Sequence, residues 1–159
     1  MSSQVLSAQV VAEPDLRAWI SFLRAYAALS RELSSRLETG HGLSLRDYDV
    51  LVQLYHAPGR RMRRVDIART VILSPSGITR LLDGLERAGW VCKEQCASDA
   101  RVAYAKLTDD GLAKFEEARV THLADIEELF GSRFTDEERS RLAELLGRLP
   151  LADAGACNE

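Results

Sequence analysis

Apolar residues recur at three- and four-residue steps over most of this chain, and residues that start or stop helices bound each run. Leu16, Trp19, Ile20, Leu23, Tyr26, Leu33 and Leu37 form the first stripe, entered through Glu13, Pro14 and Asp15 and stopped at Gly40. Proline is tolerated in a first turn, and acids are favourable near the positive end of the helix dipole. A second helix opens at Ser44, with Asp47 in a capping-box position. It buries Tyr48, Leu51, Val52 and Tyr55 before Ala57, Pro58 and Gly59 end it. A third, short helix covers Arg64 to Thr70 with Val65, Ala68 and Ile72 on one face, and its start lacks a good cap.

Ser74 followed by Pro75 predicts a fourth helix start: an N-cap hydroxyl, then a residue whose missing N–H costs nothing there. Ile78, Leu81, Leu82 and Leu85 turn one face inward, while Ser76, Thr79, Arg80 and Asp83 share another, and the helix should stop near Gly89. The period then changes. Two short segments, Val91 to Cys96 and Val102 to Leu107, flank the polar stretch from Ala97 to Arg101, which predicts a β-hairpin. Thr108 caps a long helix with Leu112, Phe115, Leu123, Ile126 and Phe130 inward and Gly131 as its stop. Thr135 with Glu138 is a second capping box, and the last helix carries Leu142, Leu145, Leu146 and Leu149 up to Pro150. The predicted fold is mainly α with a small β-hairpin wing.

At 159 residues the chain holds one domain, or one domain with dimerising extensions. We expect one unit over 13–150 between flexible ends at 1–12 and 151–159. With 46% hydrophobic and 28% charged residues, a fully disordered chain, a collagen and a disulfide scaffold are disfavoured. Three cysteines fit reduced thiols. No apolar run approaches the roughly 20 residues of a membrane helix, and the first basic residue, Arg17, comes too late for a secretory start. A cytoplasmic protein without membrane contact is expected.

The net charge of −3 hides an uneven distribution: residues 60–106 carry ten Arg or Lys against five Asp or Glu, and the rest eleven against nineteen. A basic module between acidic flanks suits phosphate binding, although a mixed solvated surface would show the same counts.

A short helix, a turn, a helix with a polar face and then a hairpin is the order of a winged helix-turn-helix, whose second helix enters the major groove. The face with Ser76, Thr79 and Arg80 lies in the first half of its helix, where side chains reach base edges. Gly77 removes bulk at the closest approach, Arg80 can take guanine bidentately, and the helix N-terminus at Ser74 favours an anion. Each residue alone reads more readily as a solvated polar position on an exposed face. Their coincidence with a hairpin and a basic module favours double-stranded DNA as the partner. Arg60, Arg61, Arg63 and Arg64, with Arg69 beyond them, can grip flanking phosphates or simply be solvated.

Here the chain resembles the MarR family of bacterial transcriptional regulators, from about Leu16 to Leu149. Leu73 to Trp90 (LSPSGITRLLDGLERAGW) looks like the family's recognition helix and wing entry. Asp99-Ala100-Arg101 is similar to its D-x-R wing tip, and Leu107-Thr108-Asp109-Asp110-Gly111 to its L-T-x-x-G wing exit. The resemblance implies a winged helix-turn-helix over about 43–108, with long dimerisation helices over about 14–39 and 109–149. It implies a homodimer on a palindromic operator, and repression relieved by a small molecule or an oxidant. It also implies that Arg101 enters the minor groove while Asp99 holds that arginine or the wing backbone. The surplus of apolar stripes on the first and last helices points independently to a dimer.

In the family, effectors often occupy the crevice between dimerising helices and winged lobe and are frequently anionic aromatics. Trp19, Tyr26, His41, Tyr48 and His56 are candidates here, though aromatics at helical spacing are more often core. The family's peroxide-sensing branch uses an N-terminal cysteine, and here the first is Cys92. A redox or metal pair at Cys92 and Cys96 is the alternative switch. Four residues of strand separate their Cα atoms by about 13 Å, whereas a disulfide needs less than about 7 Å. A thiol or histidine enzyme is disfavoured, because His41, His56 and His122 all lie far from a cysteine in sequence and no glycine-rich phosphate loop is present. No cofactor or metal is expected. A winged protein–protein module would show a neutral or acidic recognition face, unlike that of Arg80.

Overall fold

The chain runs α1 (Arg17–His41), α2 (Leu45–His56), β1 (Arg61–Arg63), α3 (Arg64–Thr70), α4 (Pro75–Arg87), β2 (Val91–Gln95), β3 (Ala103–Leu107), α5 (Asp109–Leu129) and α6 (Asp136–Leu146). This is a computed structural model, and it describes residues 16–71, 75–95 and 102–150. The expected flexible ends lie outside the described residues, as do Glu13, Pro14 and Asp15 before α1.

Hydroxyl side chains start three of the helices as their sequence positions predict. Ser44 accepts the N–H of Asp47, and the Asp47 carboxylate accepts the N–H of Ser44. Thr135 and Glu138 make the same reciprocal pair at α6. Thr108 accepts the N–H of Gly111 at α5. Each cap satisfies donors that the first turn leaves without an intrahelical partner. α3 has no side-chain cap, as expected, and α1 continues past Gly40 to His41.

The core gathers around α2, which buries Tyr48, Val50, Leu51 and Leu54. Leu37 of α1, Ile67 of α3, Ile78, Leu82 and Leu85 of α4, Val91 of β2, Ala105 and Leu107 of β3, and Phe115 and Ala118 of α5 close on it. Full burial of such side chains stabilises by about 1.5–3 kcal/mol each for Leu, Ile, Val or Phe. Three of them therefore fasten α4 strongly by its inner face.

Several expectations change. The hairpin of β2 and β3 gains a third strand, β1, in the antiparallel order β1-β3-β2, with Arg61 opposite Lys106 and Arg63 opposite Tyr104. On α3 the inward residue is Ile67, fully buried, while Val65 is 59% exposed; Ile72 lies outside the described residues. On α5, Leu123 is exposed and the buried positions after Phe115 are Ala118 and His122. α6 ends at Leu146, with Leu149 exposed beyond it.

Candidate nucleic-acid interface

The face of α4 opposite Ile78, Leu82 and Leu85 faces solvent. Thr79 and Arg80 are exposed there in the first half of the helix, and Gly77 is half-buried beside them. Ser74, Asp99 and Arg101, and the side chain of Ser76, lie outside the described residues, so only part of the expected reading set is described.

The basic cluster before and within α3 divides by environment. Arg63 is exposed, and Arg69 has a side chain 82% exposed, 3.5 Å from Asp66 one turn away. Arg61 guanidinium lies 5.1 Å above the Tyr104 ring and donates to Glu94 at 2.9 Å, which Lys106 also approaches. β1 creates this outer sheet face by setting Arg61 beside Lys106. Three charged-flanked residues carry no strand period, so sequence reasoning missed it. Arg64 is less exposed than its neighbours: its side chain is 18% exposed and lies between Asp83 and Glu86 of α4.

The wing rises from a tight junction. Gly89, at φ +80°, makes the turn after α4, a conformation that side chains with a Cβ rarely adopt. Thr108 hydroxyl donates to the Gly89 carbonyl at 2.6 Å, and Thr108 N–H donates to the Trp90 carbonyl at 3.1 Å. Lys114 ammonium sits 5.8 Å over the Trp90 ring. One threonine thus ties both strand ends of the wing to the start of α5.

A crevice of about 660 Å³ opens between α1, the start of α2 and the end of α3, lined by Tyr26, Arg31, Ser34, Arg46, Asp49 and Thr70. Partial desolvation in the crevice raises the pKa of the Asp49 carboxyl from its ordinary value, although the residue stays exposed. Of the aromatic and histidine candidates, only Tyr26 lines it. Tyr48 is core, its ring centroid 4.5 Å from that of His122 and 5.5 Å from that of Phe115. His41 Nε2–H donates to Thr121 Oγ1 at 2.6 Å, since that hydroxyl donates onward to the Ala118 carbonyl. His56 packs edge-on to Tyr55, and Trp19 stacks on Phe22.

Cys92 is a free, exposed thiol opposite Lys106, and β2 stays extended through Gln95; Cys96 lies outside the described residues. Among the described residues no three His, Cys, Asp or Glu side chains gather as a metal site, and no helix is long and apolar enough to cross a membrane.

A model of the MarR family matches residues 43–103, from the foot of α2 into β3. AbsC from Streptomyces coelicolor, a MarR family transcriptional regulator, is similar in structure with a TM-score of 0.76 at 31% identity, over 81% of this chain and 86% of AbsC. The chain belongs to the MarR family. Sco3205, another MarR family regulator from the same organism, solved in complex with DNA, is similar with a TM-score of 0.77 at 29% identity, over 82% of this chain and 84% of that one. The transcriptional repressor YetL of Bacillus subtilis is 29% identical over 124 residues, covering 76% of this chain and 74% of YetL. In this MarR protein the stretches that carry the resemblance in sequence map to α4 with the turn at Gly89 and to the Thr108 junction, while Asp99-Ala100-Arg101 lies outside the described residues.

Proposed function

We propose that this MarR protein is a homodimeric repressor that reads a palindromic operator and leaves it when a small anionic aromatic effector binds. The exposed Thr79 and Arg80 face of α4, held from behind by Ile78, Leu82 and Leu85, is the observation that carries the DNA reading. Ser74, Ser76 and Gly77 complete the major-groove set in this reading, and Arg101, steadied by Asp99, reads the minor groove from the wing tip. Arg63 and Arg69 hold flanking phosphates. The DNA complex of Sco3205 and the repressor name of YetL support the direction of the reading. Acting on bacterial DNA, the protein works in the cytoplasm and is not an enzyme.

Dimerisation rests on exposed apolar surface. Leu16, Trp19, Ile20, Phe22, Leu23 and Tyr26 are each at least 40% exposed along α1. Leu123, Phe134, Leu145 and Leu149 add to this surface from the other end of the chain. A monomer rarely leaves so much apolar area in water. The effector site is the crevice, where Tyr26 offers an aromatic wall and Arg31 and Arg46 offer guanidinium forks for a carboxylate or phenolate.

Selection from a randomised duplex pool, followed by sedimentation of the protein alone, tests the reading. The expected result is an inverted repeat with half-site centres about 10 base pairs apart or a multiple, and a particle of twice the 17.7 kDa chain. A monomer at micromolar concentration, or an enriched site without symmetry, would overturn it.

A further inference from the structure

We infer that Arg64 is a positioning residue for the DNA-reading helix: it sets the rotation of α4 through Asp83 and Glu86 and touches no phosphate itself. The inference rests on the proposal that α4 reads DNA and assigns a role within it.

Arg64 opens α3, yet its side chain is only 18% exposed, against 48% for Arg61 and 82% for Arg69 nearby. An arginine that merely waited for a phosphate would stay solvated, because its head group loses water when covered. Its two terminal nitrogens go to different carboxylates, Nη2 at 3.6 Å from Asp83 Oδ1 and Nη1 at 3.6 Å from Glu86 Oε1. Glu86 Oε1 is itself buried and accepts no hydrogen bond among the described residues, so Arg64 is the cation that compensates it. The Glu86 carboxylate depends on that charge, Asp83, 54% exposed, approaches it from the other side, and the guanidinium is already engaged from two sides.

The placement of those acids on α4 matters for function. Asp83 follows Thr79 by one turn and Glu86 follows it by two, so all three share one flank of the helix, with Arg80 on its outer edge. The apolar contacts of Ile78, Leu82 and Leu85 bury the inner face, but the hydrophobic effect by itself is non-directional and names no preferred contact on the flank. Two ionic contacts one turn apart on the flank supply an angular restraint there. At the outer radius of a helix, about 5–6 Å, a roll of 10° moves a side-chain tip by about 1 Å. A displacement of that size takes a 2.9 Å hydrogen bond beyond bonding distance. Base-edge contacts depend on such distances, whereas phosphate contacts by long flexible side chains adapt.

The test uses the duplex that the wild-type protein enriches from a randomised pool and a scrambled duplex of equal composition, each titrated at several salt concentrations. Arg64→Gln should weaken binding to the enriched duplex about tenfold more than binding to the scrambled one, a loss on the scale of one base contact. The salt slope on scrambled DNA should stay unchanged. Glu86→Gln should narrow the preference in the same direction, although it removes a negative charge from a DNA-facing helix. The double variant should be no less selective than Arg64→Gln alone, and Arg64→Lys should restore the preference in part. Should Arg64→Gln fail to fold, Arg64→Lys and Glu86→Gln decide the matter through the same ratio. Equal loss on both duplexes with the salt slope reduced by about one would make Arg64 a phosphate ligand and overturn the inference. So would a Glu86→Gln variant that binds both duplexes more tightly with its preference intact. A wild-type protein that enriches no sequence would remove the DNA-reading proposal itself and this inference with it.

Discussion

The backbone of Gly111 lies hard against the carbonyl of Trp90: a Cβ on Gly111 would stand 1.9 Å from that oxygen and 2.7 Å from its carbon. The same oxygen accepts the N–H of Thr108, and the Gly111 N–H donates to the Thr108 hydroxyl. The glycine of the wing exit is therefore a steric requirement of the junction between β2, β3 and α5. Gly111→Ala must push the wing base off α5, and overpacking that shifts backbone costs about 1–3 kcal/mol. Urea unfolding at one fixed protein concentration reads the loss. A midpoint equal to that of the wild type would contradict the junction as described.

On the proposed reading, in which Arg80 takes guanine bidentately, Arg80→Ala should cost about 1–3 kcal/mol on the operator and narrow the gap to random DNA. Arg101→Ala should instead carry a penalty that grows where A·T-rich sequence narrows the minor groove under the wing. Titrations on operator, scrambled and A·T-substituted duplexes separate the two. Equal loss on all sequences would reduce either residue to a phosphate contact.

His122 makes folding stability depend on pH. Burial against Tyr48 pulls its pKa below the ordinary 6.5, opposed in smaller measure by Asp125, and its Nδ1 is buried without a hydrogen-bond partner among the described residues. A histidine whose folded pKa is depressed binds its proton more readily when unfolded. Its contribution is therefore complete above pH 6.5 and is lost as pH falls from there through the folded value. His122→Leu removes the titration and the unpaired nitrogen together. Its urea midpoint should vary less than that of the wild type between pH 7.5 and 5.5, and parallel profiles would refute the assignment.

Replacing Cys92 and Cys96 together by Ser should leave release from the operator by the natural effector unchanged. Cys92 lies in a strand that stays extended through Gln95, which carries the chain away from it at about 3.3 Å per residue. A double variant that binds the operator but no longer responds would reveal a thiol switch.

The helix starts were legible because caps are local chemistry. Ser44 with Asp47, Thr108 with Gly111, and Thr135 with Glu138 each close within three residues, and no distant contact is needed to form them. The order of helices and hairpin, and the inward face of α4 at Ile78, Leu82 and Leu85, follow from periodicity in the same way. The family resemblance was carried by such local stretches too. Tertiary structure alone decided where pairing is non-local. Arg61 to Arg63 become a strand only because β3 offers an open edge more than 40 residues later. Ile67 replaces Val65 as the buried residue of α3 because the orientation of so short a helix is set by the core it meets. Arg64 turns inward because Asp83 and Glu86, distant in sequence, arrive beside it once α4 packs. Its sequence neighbourhood of arginines shows charge, whereas the direction a charge faces depends on which carboxylates the fold brings within a few ångströms.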